Sequence, residues 1–223
     1  SVIRIPRTGD CPKSTGERPA GATPQRRIVR EESGGVPLQA CIGTGAMGVV
    51  YKAVRETDGM SYAVKMLRHR FIYSSHVISR FDQEADLVGR LQHPNIVGLR
   101  GHFVAFRTRF IVLELFDGAD LRHVLREGPV SESQARAILG QIAAGLQYAH
   151  GQGILHLDLK PANILVDQQG NVAISDFGLS RLIEFDGCDQ ECVGTPCYMP
   201  PEQFMMADLG PHCDWYSLSC IAH

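Results

Sequence analysis

The chain has no run of 18 consecutive apolar residues, so no segment reads as a membrane-spanning helix. It also lacks a basic excess: 22 Lys and Arg stand against 24 Asp and Glu, a net charge of −2. A nucleic-acid footprint needs clustered positive charge, so that partner class is not expected. The first residues contain no apolar core of the signal-peptide kind, and no internal repeat is visible. The cysteines number seven, an odd count in a chain long enough to form a core without staples. They read as reduced thiols rather than a disulfide framework. Cys188, Cys192 and Cys197 lie close together but lack the paired spacing and distal partner of a zinc knuckle. These absences leave an ordinary soluble, cytoplasmic, globular composition, 44% apolar and 21% charged.

Residues 1–36 are rich in Pro, Gly, Arg, Ser and Thr and hold seven basic against four acidic side chains. Such a segment cannot offset its own ordering entropy, and it is expected to be disordered. From Leu38 the pattern turns to β. Leu38–Ile42, Val49–Val54 and Ser61–Leu67 read as an antiparallel meander, with Phe110–Leu115 as a further strand of the same sheet. Helical spacing follows: Phe81, Glu84, Val88 and Leu91 share one face. Ser131 and Gln134 form a capping-box pattern opening a helix through His150, with Ile138, Ile142, Leu146 and Ala149 as its buried stripe. Ile164–Val166 and Val172–Ile174 flank Asp167-Gln-Gln-Gly-Asn171, a hairpin signature. Strands first and helices after predict an α+β fold.

Four segments within this framework carry chemistry. Gly43, Gly45 and Gly48, in Gly43-Thr-Gly-Ala-Met-Gly48-Val-Val50, sit between two strands rather than before a helix, unlike a dinucleotide loop. Glycines there let backbone N–H groups approach phosphates. Lys65 lies within the apolar strand Ala63-Val-Lys65-Met, an unusual place for an ammonium group. Glu84 interrupts an apolar helix face, and a buried carboxylate needs a partner. Asn163, at the end of His156-Leu-Asp158-Leu-Lys160-Pro-Ala-Asn163, and Asp176, which opens Asp176-Phe-Gly178, flank the hairpin. If its strands pair, these two oxygen donors meet at its open end, and Mg²⁺ prefers such hard ligands.

The four segments, in this order, resemble the eukaryotic-type protein kinase family from about Leu38 onward. The resemblance implies a two-lobed fold, with ATP and Mg²⁺ as cofactors and a protein Ser/Thr hydroxyl as acceptor. It implies that Gly43, Gly45 and Gly48 cradle the ATP phosphates and that Lys65, paired with Glu84, holds two of them. Asp158 would orient the attacking hydroxyl and accept its proton, Lys160 would neutralise the moving phosphoryl group, and Asn163 and Asp176 would bind the metal. Glu114 and Leu115 resemble the hinge that meets adenine, with Leu113 as gatekeeper and Asp120 placed toward the ribose. Val50, Ala63, Leu121 and Leu165 resemble the apolar sandwich around the base. Val88, Leu99, His156 and Phe177 would form a stacked column anchored by Asp214, which makes His156 structural. Lys160 in Asp-Leu-Lys-Pro, with Thr195 after Gly194, favours Ser/Thr over Tyr specificity.

The chain also departs from the family. Leu157 stands where an Arg commonly grips a phosphate on the activation loop, so activity is not expected to depend on that phosphate. Ala-Pro-Glu becomes Pro200-Pro201-Glu202. The chain begins with Ser1, and Asp214 to His223 resembles the first half of the central helix of the large lobe, so a fragment truncated there is expected. On that reading Trp215, Leu218 and Ile221 would be left wet, and Glu202 would lack its cationic partner. The expected organisation is a disordered segment over 1–36, a small lobe over 37–116 and a partial large lobe over 117–223. The expected function is a protein serine/threonine kinase. The alternative is a truncated pseudokinase serving as a nucleotide-binding or regulatory module.

Overall fold

In a computed structural model the described residues are 2–4, 35–45, 48–55, 59–177, 196–205 and 209–223. The chain divides into two compact units: Ser1–Tyr73 with Arg100–Leu113, and Ser74–Leu99 with Glu114–His223. The fold is α+β, as expected. The helix carrying Glu84 groups with the second unit rather than with the strands, because Val88 near its end and the following Leu91 and Ile96 belong to that unit's apolar cluster.

The β-branched and aromatic runs of the first unit form one sheet. Its strands are β1 (Val2–Arg4), β2 (Gly35–Thr44), β3 (Gly48–Val54), β4 (Ser61–Leu67), β5 (Leu99–Ala105) and β6 (Thr108–Glu114). They lie in the order β1-β2-β3-β4-β6-β5. The meander β2-β3-β4 is antiparallel as expected. Alternation along β4 sends Tyr62 and Val64 to one face, where they pack with Ala53, Phe110 and Val112. Phe103 stacks on Phe110 with ring centroids 4.9 Å apart. Ala63 and Lys65 take the other face and are also buried. β1 pairs antiparallel with the start of β2, Val2 opposite Pro37 and Arg4 opposite Gly35. Residues 2–4 and 35–36 of the segment expected to be disordered are therefore strand; its residues 1 and 5–34 lie outside the described ones.

In the second unit the helix-periodic stretch is α1 (Ser75–Val88), whose first turn is capped by Ser74 Oγ accepting from Val77 N at 3.4 Å. Phe81 and Val88 are buried as the spacing predicts; Leu91 is buried too but lies beyond the helix end. β7 (Gly118–Asp120) and α2 (Leu121–Glu127) precede α3 (Glu132–Gly151). The capping box of α3 is reciprocal: Gln134 N donates to Ser131 Oγ at 3.3 Å, and Ser131 N donates to Gln134 Oε1 at 2.9 Å. Its stripe of Ile138, Ile142, Leu146 and Ala149 is buried.

The hairpin is β8 (Ile164–Asp167) and β9 (Val172–Ile174), paired Ile164 to Ile174 and Val166 to Val172. Asp167 shapes its turn by accepting from Gln169 N, Asn171 N and Asn171 Nδ2 at 2.7–2.9 Å. β9 is seated on α3 through Asn95. The Asn95 carbonyl accepts from Ile174 N at 2.9 Å, and its Nδ2 donates to Val172 O at 2.8 Å and Gln141 Oε1 at 3.1 Å. Gly145 permits this approach, since a Cβ there would lie 3.0 Å from both Asn95 O and Ile174 Cδ1.

The chain closes with α4 (Pro201–Phe204) and α5 (Pro211–Ala222). The expectation of a wet apolar side on α5 needs correction. Leu218 belongs to the buried cluster and Ile221 packs against it, leaving Trp215 as the exposed member.

Candidate functional site

The first unit supplies the glycine turn and Lys65. The β2 register shifts between Cys41 and Gly43, and the loop closes where Gly45 N donates to Gly48 O at 2.9 Å. Arg68 Nε, just past β4, donates to Gly45 O at 3.0 Å. A Cβ on Gly48 would stand 2.9 Å from the Met66 carbonyl, so only glycine lets β3 run this close to β4. Val50 pairs with Lys65 across these strands, and Ala63 with Lys52. Lys65 is 8% exposed, which sets its ammonium apart from an ordinary surface lysine. Glu84 stands on α1 of the second unit; its side chain, and with it the expected pairing, lies outside the described residues.

The second unit brings Asp158, Lys160, Asn163 and Asp176 together through its loops. Asp214, on α5, organises the segment before Asp158. It is fully buried and accepts from Leu157 N through Oδ1 at 2.8 Å, and from His156 N through Oδ2 at 2.9 Å. His150 Nε2 lies 2.8 Å from the same Oδ2. Burial alone would raise the Asp214 pKa. The hydrogen bond from His150, the neighbouring His156 and the two backbone N–H groups outweigh it and hold the carboxyl below its ordinary value.

Leu157 is thereby held at φ 61°, left-handed backbone that a leucine rarely adopts. His156 is wholly buried and packs edge-on to Phe177 at 4.7 Å. Its Nε2 faces Ser175 O at 2.9 Å. A carbonyl only accepts, so Nε2 carries the proton and Nδ1 takes the hydrogen of Asp158 N at 3.2 Å. That is the structural histidine expected.

Around the Asp158 carboxylate the donors converge on one oxygen. Lys160 Nζ lies 2.5 Å and Asn163 Nδ2 3.1 Å from Oδ2, while the same Asn163 nitrogen also donates to Asp158 O at 2.8 Å. The hairpin places the next element with one difference from expectation. Its register sets Ser175, not Asp176, opposite Asn163: Ser175 N and Oγ both donate to Asn163 O, at 2.9 and 3.2 Å. Asp176 follows one residue later at φ 59°, a turn away from the strand direction.

Of the residues expected near a nucleotide base, Glu114 N donates to Gly98 O at 2.9 Å, and Leu115 is half-buried. Asp120 caps α2, its Oδ1 accepting from His123 N at 2.9 Å, and pairs across β7 and β8 with Leu165. Leu121 sits within the apolar cluster together with Val88 and Phe177, and Leu99 packs against it.

Three features escaped sequence reasoning. His150, the partner of Asp214, reads in sequence only as the last turn of an amphipathic helix. Gln203 Nε2 donates to Leu157 O at 2.9 Å, a contact 46 residues apart with no local signal. Third, Glu202, expected to lack a cationic partner, faces a histidine: His212 Nε2 lies 3.2 Å from its Oε1. Cys213 Sγ lies 3.7 Å from the same oxygen. Burial raises the Cys213 pKa, keeping it a protonated donor to Glu202. Thr195, Gly178, Cys188 and Cys192 lie outside the described residues; Cys197 is an exposed free thiol. Among the described residues no helix is long and apolar enough to cross a membrane.

Comparison with known proteins gives a consistent picture. The model of the family described as "Protein kinase domain" matches residues 37–223. Serine/threonine-protein kinase PknA of Mycobacterium tuberculosis is 37% identical over 199 residues, which are 86% of this chain and 46% of that protein. Serine/threonine-protein kinase PknH of Mycobacterium bovis is 34% identical over 189 residues, 83% of this chain and 32% of that protein. A crystal structure of the M. tuberculosis PknI kinase domain matches with a TM-score of 0.67 and 27% identity, covering 84% of this chain and 70% of that one. The chain thus spans less than half the length of these two curated relatives.

Proposed function

Because the chain belongs to the protein kinase domain family, we propose that it transfers the γ-phosphoryl group of ATP to a serine or threonine hydroxyl of a protein. The observation that carries this reading is the arrangement around Asp158. Lys160 and Asn163 both engage Oδ2. That leaves Oδ1 as the atom to orient the incoming hydroxyl and take its proton. The bonds on Oδ2 fix the carboxylate plane, and Lys160 brings a positive charge beside the transferring group. In the first unit, we assign Gly43, Gly45 and Gly48 to the ATP phosphates and the buried Lys65 as the cation that pairs with them. We assign Glu84 to hold Lys65, and Glu114, Leu115, Val50, Ala63, Asp120 and Leu165 to the nucleoside.

Asn163 and Asp176 fit a Mg²⁺ site by donor chemistry. The Asn163 nitrogen is committed to Asp158, so its oxygen end remains for a cation, and the Ser175 bonds hold Asp176 one residue from that amide. When bound, the ion would neutralise phosphate charge. The pseudokinase alternative gains no favouring observation, since Lys65, Asp158, Asn163 and Asp176 all retain the side chains that the chemistry requires. Free Cys41, Cys197, Cys213 and Cys220 support a reducing, cytoplasmic setting for this part of the protein. The test is incubation with γ-labelled ATP, Mg²⁺ and a protein acceptor. Label on Ser or Thr, absent without metal, is expected; label confined to Tyr, or none, overturns the reading.

A further inference from the structure

We propose that Gln203 is a positioning residue for Asp158, acting through the strained backbone of Leu157. The inference rests on the phosphotransfer reading above. Leu157 is one of four non-glycine residues with positive φ among those described, and it immediately precedes the carboxylate on which the chemistry turns. Left-handed backbone is unfavourable for a branched side chain and persists only where the surroundings over-determine it. Both polar groups of this residue are held. Its N–H is held by Asp214 on α5, and its carbonyl accepts from Gln203 Nε2 at 2.9 Å. The two grips come from different elements, since Gln203 lies on α4, next to Glu202.

With one grip removed, the Leu157–Asp158 peptide is free to rotate toward ordinary backbone, carrying the Asp158 carboxylate with it. Sequence gives this arrangement a reason. The residue at 157 is a leucine, with no charge to tie this loop to a phosphate, and a neutral amide from α4 makes the tie to its backbone instead. Such a tie needs no phosphate, so the link between the segment containing Gln203 and the loop containing Asp158 is constitutive.

Two substitutions at one position test this. Gln203→Glu keeps size and shape but replaces the donor with an acceptor facing the Leu157 carbonyl; Gln203→Lys restores a donor of similar reach. Steady-state phosphotransfer is measured for the wild-type chain and both variants, with ATP affinity and melting temperature alongside. Gln203→Glu is expected to lower kcat about tenfold, the scale of one lost part-buried hydrogen bond, with KM for ATP within about twofold. Gln203→Lys is expected to recover most of kcat. A separate readout does not depend on activity: amide hydrogen exchange over residues 156–160 is expected to accelerate in Gln203→Glu and return toward wild type in Gln203→Lys. Wild-type kcat in Gln203→Glu, equal impairment of both variants, or unchanged exchange would overturn the inference. An inactive wild-type chain with the expected exchange pattern would count against the phosphotransfer reading while supporting the contact.

Discussion

Replacing Asp214 by Ala removes the carboxylate that holds the segment before Asp158. Two backbone N–H groups, of His156 and Leu157, donate to it at 2.9 and 2.8 Å in a fully buried setting. Truncation leaves both without an acceptor where water does not reach. An orphaned buried donor costs about 1–3 kcal/mol, toward the upper end when its lost partner was charged, so the pair costs about 3–5 kcal/mol. A domain holds about 5–15 kcal/mol in all. At about 2–4 °C per kcal/mol for this size, Tm falls by about 6–20 °C. Leu157, released from φ 61°, recovers part of its backbone strain, so the measured loss belongs at the lower end of that range.

Melting followed by circular dichroism, with urea unfolding for the free energy, measures the effect. A loss below about 1 kcal/mol would refute the claim that Asp214 holds this loop. The pH dependence has a definite sign. The Asp214 carboxyl is held below its ordinary value in the folded chain: burial pushes it up, but the His150 bond and the other donors more than compensate. Its contribution is therefore fully present above the unfolded value of about 4 and is lost as pH falls through the folded value. The gap between wild type and Asp214→Ala is expected to narrow below about pH 4. A gap that widens there contradicts the assignment.

Lys65→Met is expected to cut phosphotransfer by about 10²-fold or more, since in the proposed role it deletes a charge contact to the phosphates, while the chain stays folded; near-wild-type turnover in a radiolabel assay counts against it. Phe106 and Arg107 join β5 to β6 at φ 50° and 60°, both left-handed. Replacing them with Asn-Gly, which tolerate that backbone, is expected to raise stability by about 1–2 kcal/mol, and a fall in the urea midpoint would show that their side chains contribute more than their backbone costs. Phosphatase treatment is expected to leave turnover intact, because Leu157 cannot engage a phosphorylated loop; loss of activity on treatment, restored by rephosphorylation, would show that another basic residue has that role.

The features legible in sequence are those set by neighbours along the chain. The Ser131–Gln134 box and the α3 stripe are three- and four-residue patterns, and the structure reproduces them. The β8–β9 hairpin is legible because Asp167, Gly170 and Asn171 write its turn locally; the same register, counted one residue outward, already puts Ser175 rather than Asp176 opposite Asn163. β7 spans three residues and exists by pairing with β8, some 45 positions away, and β1 depends on β2 across the 30 residues between them. Strands this short carry too little periodicity to be seen alone. The types of the candidate site residues were readable from their motifs. Of their supports, Asp214 is implied by the family resemblance alone, while His150, bonded to the Asp214 side chain, and Gln203, bonded to the Leu157 carbonyl, join distant segments in a way no spacing rule encodes.

In the proposed reaction Asp158, oriented through Oδ2 by Lys160 and Asn163, positions a hydroxyl for attack on ATP. The variant Asp158→Asn keeps the shape and one acceptor oxygen for Lys160 and Asn163 but has no carboxylate to accept the hydroxyl proton. Single-turnover transfer from γ-labelled ATP to a protein acceptor is measured beside calorimetric nucleotide binding. The rate is expected to fall about 10²–10⁴-fold, with nucleotide affinity and Tm essentially unchanged. Transfer at the wild-type rate in this variant would rule Asp158 out of that role.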